Sequence, residues 1–271
     1  MTTALKSYES IAAVLKTACG IVVDSGKEYL FDARLTQVLR KHEIASLDAL
    51  ALRLQARPQA NLLADVVDAM TINETSFFRD LSPFEALAKE IVPDLLKRNA
   101  AEKTISIWCG AASTGQEPYS IAMTLKDACP TLDSWRLRVV ATDICRDVLE
   151  RAKSGRFTQR EVNRGLPARL LAKYFRKEGE DFVVADELRR LVSFRSLNLI
   201  ADGPGEVFDV VFLRNVLIYF DLPTKKRVLE NVRRVMRPGG CLFLGCAETT
   251  INITDVFVRA QAGTTSCYRP A

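Results

Sequence analysis

The sequence predicts an α/β domain with a doubly wound, mostly parallel sheet, preceded by a small all-α domain and carrying a small antiparallel β insert. Three observations predict it. Apolar runs at 105–109, 137–142, 207–213 and 241–245 alternate with helical patterns at 119–128, 147–153 and 224–236. That succession builds parallel sheets with crossover helices. The first run passes directly into a glycine-bearing loop and a helix start, Ile105-Ser-Ile-Trp-Cys-Gly110-Ala-Ala-Ser-Thr-Gly115-Gln-Glu117-Pro118. Before residue 73, apolar residues recur at helical spacing and no strong strand is visible.

Taken in order, Ile11, Val14-Leu15, Leu30, Leu35, Val38-Leu39, Leu47, Leu50, Leu62-Leu63 and Val66-Val67 mark a helical domain over residues 1–72. Residues 73–103 form a connecting segment that ends in the polar junction Lys97-Arg-Asn-Ala-Ala-Glu-Lys103. The sheet domain spans 104–271, with the insert at about 176–196, where 181–184 and 191–194 are expected to pair as a hairpin. Arg237-Pro-Gly-Gly240 is expected to be a turn before the last parallel strand.

Composition narrows the function. The chain has 271 residues, 48% of them apolar, enough for one large domain or two unequal ones. No apolar run is long enough to span a bilayer, and residues 1–30 lack the pattern of a signal peptide, so a cytoplasmic protein without direct membrane insertion is expected. Seven scattered cysteines with no C-x-x-C pair suggest reduced thiols packed as small apolar residues. His42 is the single histidine, which argues against a metal site or a Ser-His-Asp triad. A net charge of +5 permits an acidic partner without demanding nucleic acid, and none is expected.

The candidate site follows from the strand-loop-helix. Gly110 lets the backbone turn sharply and approach a ligand, and Pro118 suits a first helical turn. Glu117 is the unusual residue: a phosphate at a helix N-terminus wants free N–H groups and no carboxylate, and the loop lacks the Lys and Ser/Thr of a P-loop. A carboxylate here suits a ligand with positive charge and no phosphate, such as S-adenosylmethionine; it also simply complements the helix dipole. Asp143, at the end of the second strand, stands where such folds bind ribose hydroxyls. Arg214 and Asn215 follow the strand at 207–213, at the edge where this fold class carries ligands. Asn73-Glu-Thr75-Ser-Phe77-Phe78-Arg79-Asp80 reads either as a cleft wall or as a helix start with buried Phe residues.

These motifs, together with Ala141-Thr-Asp143-Ile, Asn198-Leu199 and Arg214-Asn-Val-Leu-Ile-Tyr-Phe220, stand in the order that resembles CheR-type chemotaxis receptor methyltransferases over nearly the whole chain. The resemblance implies a helical domain followed by an S-adenosylmethionine-dependent methyltransferase domain. It implies methylation of glutamate carboxylates on chemoreceptor cytoplasmic helices, giving methyl esters for sensory adaptation, with S-adenosylhomocysteine as product. It implies that Asn73, Thr75, Arg79, Gly110, Glu117, Asp143, Asn198, Leu199, Arg214 and Asn215 surround the cofactor, and that Arg79 and Tyr219 lie nearest the transferred methyl.

Two departures stand out. The family's usual Gly-His-Ser-Glu is Gly245-Cys246-Ala247-Glu248 here, and the connection Lys177-Glu-Gly-Glu-Asp181 is short. The short connection argues against tethering by a receptor's C-terminal pentapeptide. Recognition is expected instead from a basic face of the helical domain, which holds Lys27, Arg34, Arg40, Lys41, Arg53 and Arg57, with Arg34, Arg40 and Lys41 at its centre. A monomer is expected. The remaining alternatives are a non-catalytic cofactor-binding regulatory module and a methyltransferase for another substrate. Amine methylation often uses an Asp/Asn-Pro-Pro-aromatic turn, and the chain has no Pro-Pro.

Overall fold

The structure is a computed structural model that describes residues 3–56, 59–128, 134–201 and 203–271; Arg57 and Cys129 lie outside the described residues. The chain divides into two units, Met1–Ile72 with Tyr219–Lys225, and Asn73–Ile218 with Lys226–Ala271. Residues 73–103 therefore group with the sheet.

The first unit contains α1 (Thr3–Cys19), α2 (Tyr29–Lys41), α3 (Leu47–Ala56) and α4 (Ala60–Met70). Each helix turns one stripe inward: Ile11 and Leu15 on α1; Phe31, Leu35 and Val38 on α2; Leu50 and Leu54 on α3; Leu62, Val66 and Met70 on α4. The i, i+4 spacing puts these side chains on one face, and each full burial contributes about 1.5–3 kcal/mol. Arg34 donates from Nη1 to the Met70 and Thr71 carbonyls at 3.1 and 3.3 Å, placing a cation on the open carbonyls that end α4. The returning segment is held here as well. The Val22 N–H donates to the Tyr219 carbonyl at 2.9 Å, Ile21 bridges Phe220, and Lys16 pairs with Asp221 at 2.7 Å.

The second unit begins with α5 (Ser82–Ala86), which continues through a π-helical turn at Leu87–Ile91 into α6 (Val92–Arg98). Pro93 has no N–H to give, so the helix changes its hydrogen-bonding pattern just before it. Then follow β1 (Thr104–Gly110), α7 (Gln116–Ala128), β2 (Arg136–Asp143), α8 (Arg146–Ser154), β3 (Arg156–Thr158), α9 (Gln159–Val162), α10 (Ala168–Tyr174), β4 (Phe175–Glu178), β5 (Asp181–Val184), α11 (Asp186–Arg189), β6 (Val192–Ser196), β7 (Phe208–Leu213), α12 (Leu222–Arg234), β8 (Met236–Leu244), β9 (Phe257–Ala262) and β10 (Thr265–Pro270).

The seven-stranded sheet runs β6-β2-β1-β7-β8-β10-β9, parallel except at β10 and β9. The strand order reverses between β1 and β7, the switch point at which such sheets open a ligand crevice. The central strands are buried on both faces, hence their continuous apolar runs.

Two expectations need correction. The antiparallel insert is a separate three-stranded sheet, β3-β5-β4; 191–194 does not pair with 181–184, because β6 joins the main sheet parallel to β2. Nor is Arg237-Pro-Gly-Gly240 a turn ahead of the strand. It lies within β8 as an irregularity, the register against β7 jumping from Phe208↔Met236 to Val210↔Cys241.

Candidate functional site

The site is built where β1, β2, β6 and β7 end. After Gly110 the chain turns through Ala111, Ser113 and Gly115, all with positive φ (56°, 50° and 97°), before α7 begins at Gln116. A Cβ on Gly110 would sit 2.8 Å from Leu213 Cδ1 and 3.5 Å from Leu199 Cδ2, so only glycine lets these two leucines close over the strand end. The turn is pinned from outside. The Ala112 N–H donates to the Thr142 carbonyl at 2.9 Å, and Ser113 Oγ donates to the Asn73 carbonyl at 2.8 Å.

Asp143 ends β2 and is 7% exposed. Its Oδ2 accepts the Ser113 N–H at 2.8 Å and its Oδ1 accepts the Cys145 N–H at 2.9 Å. Two backbone donors therefore fix the carboxylate. Leu197 donates to the Asp143 carbonyl, which brings Asn198 and Leu199 to the same edge. Asn73 reaches the same place from before the sheet, its Nδ2 3.8 Å from Cys145 Sγ. Thr75 lines a cleft of about 400 Å³ with Asn73, Thr114 and Gln116.

Arg214 is the electrostatic centre. Its side chain is 1% exposed. Nη1 donates to Glu117 Oε2 at 2.5 Å, and Nη2 donates to Asp80 Oδ2 at 2.8 Å and to the Arg79 carbonyl at 2.9 Å. Its guanidinium carbon lies 5.8 Å from the centre of the Phe84 ring. Burial works against the charged form, but Glu117 and Asp80 outweigh it and hold the guanidinium above its ordinary value. Glu117 thus balances a buried cation, an outcome that neither sequence reading of this residue anticipated. Its Oε1 also accepts the Cys109 thiol at 3.4 Å. Burial first, and then the Glu117 charge, push that thiol well above its ordinary value, so Cys109 stays protonated as a donor. One cation against two carboxylates leaves the cluster net negative.

The Asn-x-Thr-x-Phe-Phe-Arg-Asp segment is a tight turn, not a helix start. Phe78 and Asp80 take positive φ of 48° and 55°. The adjacent rings part company: Phe77 enters an edge-to-face cluster with Phe157 (4.9 Å) and Phe175 (5.7 Å), while Phe78 packs on Phe84 (5.2 Å). Anchoring on both sides delivers Arg79 and Asp80 to the site. Arg79 Nη1 lies 3.4 Å from the Glu74 carbonyl, and among the described residues no carboxylate pairs with its guanidinium.

Asn73, Thr75, Arg79, Gly110, Glu117, Asp143, Asn198, Leu199, Arg214 and Asn215 all belong to the sheet unit, while Tyr219 groups with the helical unit. Sequence reasoning missed Asp80 and Glu248. Glu248 accepts backbone N–H groups from Asn215 and Leu217. The signals were present, Asp80 inside a quoted motif and Glu248 closing Gly-Cys-Ala-Glu.

Comparison with known proteins now decides the family. A model described as "CheR methyltransferase, SAM binding domain" matches residues 73–265, and one described as "CheR methyltransferase, all-alpha domain" matches residues 6–71. The chain belongs to the CheR methyltransferase family. It is 36% identical to "Chemotaxis protein methyltransferase Cher2" of Pseudomonas putida and 38% identical to "Chemotaxis protein methyltransferase 1" of Pseudomonas aeruginosa, each match covering 99% of both chains. It is 37% identical to "Chemotaxis protein methyltransferase" of Vibrio parahaemolyticus over 95% of both chains. Membership makes the sheet unit an S-adenosylmethionine-binding domain of a chemotaxis methyltransferase.

The residues fit that cofactor. It carries an ammonium, a carboxylate, a sulfonium and ribose hydroxyls, and no phosphate. The net-negative cluster of buried Arg214 and Glu117 with the exposed Asp80 suits the cationic portion, and the backbone-pinned Asp143 suits paired hydroxyls. Among the described residues, no helix is long and apolar enough to cross a membrane.

Proposed function

We propose that this protein esterifies glutamate side chains on the cytoplasmic helices of methyl-accepting chemoreceptors. The observation that carries the reading is the pairing of a net-negative cluster, in which the buried Arg214–Glu117 pair is joined by the exposed Asp80, with Arg79, a guanidinium that forms no ion pair with a carboxylate among the described residues. The first suits a cationic donor and the second an anionic acceptor.

S-adenosylmethionine supplies a methyl group activated on a sulfonium. The chain's own task is then positional. A glutamate acceptor, with an ordinary pKa of about 4.3, is already an anion at neutral pH, so no strong general base is needed. The sequence agrees, for its single histidine is committed elsewhere: His42 Nε2 lies 2.7 Å from Asp65 Oδ2. Arg79 orients the acceptor, or a group beside it, through charge-assisted hydrogen bonds. Tyr219 is assigned next to the transferred methyl by family resemblance. Orientation of this kind contributes on the order of 7–11 kcal/mol to lowering a barrier.

For docking, Arg40, Lys41 and Arg53 are the exposed cations of α2 and α3. Lys41 pairs with Asp65 at 2.8 Å, whereas Arg34 is half-buried and engaged on the α4 carbonyls. The docking face therefore centres on Arg40 and Lys41. The β4–β5 hairpin closes on the two residues Gly179 and Glu180, and edge strand β4 exposes Arg176 and Lys177. So short and charged an edge supports receptor recognition without a tail tether.

The test is incubation with labelled S-adenosylmethionine and a receptor cytoplasmic fragment, the same fragment without its C-terminal tail, or duplex DNA. Base-labile label on both receptor fragments is expected. Label on DNA, or on no acceptor, overturns the reading, and label confined to the tailed fragment overturns its docking part.

A further inference from the structure

Glu248 ties together the ends of two neighbouring strands with one carboxylate. Its Oε2 accepts the backbone N–H groups of Asn215 and Gly245, both at 2.7 Å, and its Oε1 accepts that of Leu217 at 2.7 Å. Its own N–H donates to the Gly245 carbonyl at 2.9 Å, closing the turn from which it reaches back. Asn215 and Leu217 follow β7, and Gly245 follows β8. The residue is 9% exposed, and among the described residues no cationic side chain pairs with it. Its hydrogen-bond donors are all backbone N–H groups.

This arrangement needs a carboxylate. An amide at the same position has one accepting oxygen, and its NH₂ would face a backbone N–H. It also needs Gly245, because a Cβ there would lie 2.7 Å from Glu248 Oε2 and 2.6 Å from Asn215 Nδ2. The clamp holds Asn215 at a φ of 58°, a left-handed conformation that asparagine tolerates better than most residues. Arg214, one residue earlier, is the buried cation that holds Glu117 and Asp80. A loop free to relax at Asn215 would carry both side chains with it.

We propose that Glu248 is a positioning residue for the cofactor site. By fixing the backbone of residues 215–217 against residue 245, it sets Arg214 and Asn215 in their working orientation, and so controls cofactor affinity without touching the cofactor. The inference rests on the sheet unit binding S-adenosylmethionine, and is independent of which acceptor is methylated.

The near-isosteric Glu248→Gln variant tests it. S-adenosylhomocysteine binding, measured by calorimetry, is expected to weaken tenfold or more. Amide hydrogen exchange is expected to speed up at Asn215 and Leu217 and to stay unchanged at Ile107 in the core strand. In the double variant with Asn215→Ala, binding is expected to fall less than twofold beyond the weaker single variant, because both changes act through the same loop. Affinity within twofold of wild type, with exchange accelerated at the loop, would reduce Glu248 to packing and overturn the proposal. So would full additivity of the two substitutions. Should Glu248→Gln fail to fold, Gly245→Ala presses on the same carboxylate from the other strand, and unchanged affinity there overturns the proposal equally.

Discussion

The helical unit and the strand-end site both depend on charge, but in opposite ways. On α2, Arg40 and Lys41 are exposed, and Lys41 is 65% exposed where it meets the largely buried Asp65. At the strand ends Arg214 is 1% exposed and meets a carboxylate 97 positions away in sequence. Exposed pairs contribute roughly 0–1 kcal/mol and are screened by salt. A buried cation is different, since removing its partner leaves an uncompensated charge that costs about 3–5 kcal/mol. The first kind of charge suits an encounter that forms and breaks, and the second a site that must stay assembled.

The largest effect separating the two regions is expected from Arg214→Ala. It strands Glu117 in the interior, and thermal unfolding should show a loss of about 3–5 kcal/mol together with loss of S-adenosylhomocysteine binding. An unchanged melting temperature would mean that the pair is not structural. Next, Glu117→Gln and Asp143→Asn should each weaken cofactor binding about tenfold or more, the scale of a charged hydrogen bond of about 1.5–3 kcal/mol; calorimetry at wild-type affinity would remove them from the site. Arg79→Ala and Tyr219→Phe should cut single-turnover rates about tenfold or more while leaving affinity within a fewfold, the signature of contacts made in the transition state.

Smaller and salt-dependent, Arg40→Ala with Lys41→Ala should slow receptor methylation severalfold at low ionic strength. The difference should shrink as salt shortens the screening length below about 8 Å. A salt-independent defect would place these residues in folding, not docking. The smallest effect is expected at Asp221. The Lys16 ammonium, then the Thr224 hydroxyl and N–H, hold its carboxyl at about 2, below its ordinary 3.8. Its folded-state value is depressed, so the stability it confers is present above about pH 4 and drains away as the pH falls toward 2. Asp221→Asn should therefore lower the melting temperature by a few degrees at pH 7, with the gap closing below pH 4.

Much of this was legible in sequence because it is periodic or local. The buried strands β1 and β7 announce themselves as unbroken apolar runs, and Gly110, which ends β1, and Arg214, which follows β7, then fall at the strand-end edge by topology alone. Val192-Ser-Phe-Arg-Ser196 misled for a physical reason. Its short apolar–polar alternation in sequence reads as a hairpin strand, but it lies at the edge of the main sheet, parallel to β2. Arg237-Pro-Gly-Gly240 misled because a strand irregularity uses the same residues as a turn. The pairing of Glu117 with Arg214 was out of reach: nothing local in either residue names a partner so distant, and only the adjacency of β1 and β7 brings them together.

The path of the chain also limits how the protein can be cut. The helical unit is closed by Tyr219–Lys225, a stretch that reaches it only after most of the sheet has been threaded. Phe220 is 7% exposed there, and Asp221 caps the start of α12 through the Thr224 N–H at 3.0 Å. A swap that exchanges residues 1–72 between relatives must carry 219–225 with them, or it will pair one protein's Ile21 and Lys16 with another's loop. Deleting the first 72 residues would strip Phe220 and Asp221 of their neighbours Ile21 and Lys16, in the same stretch that carries Tyr219.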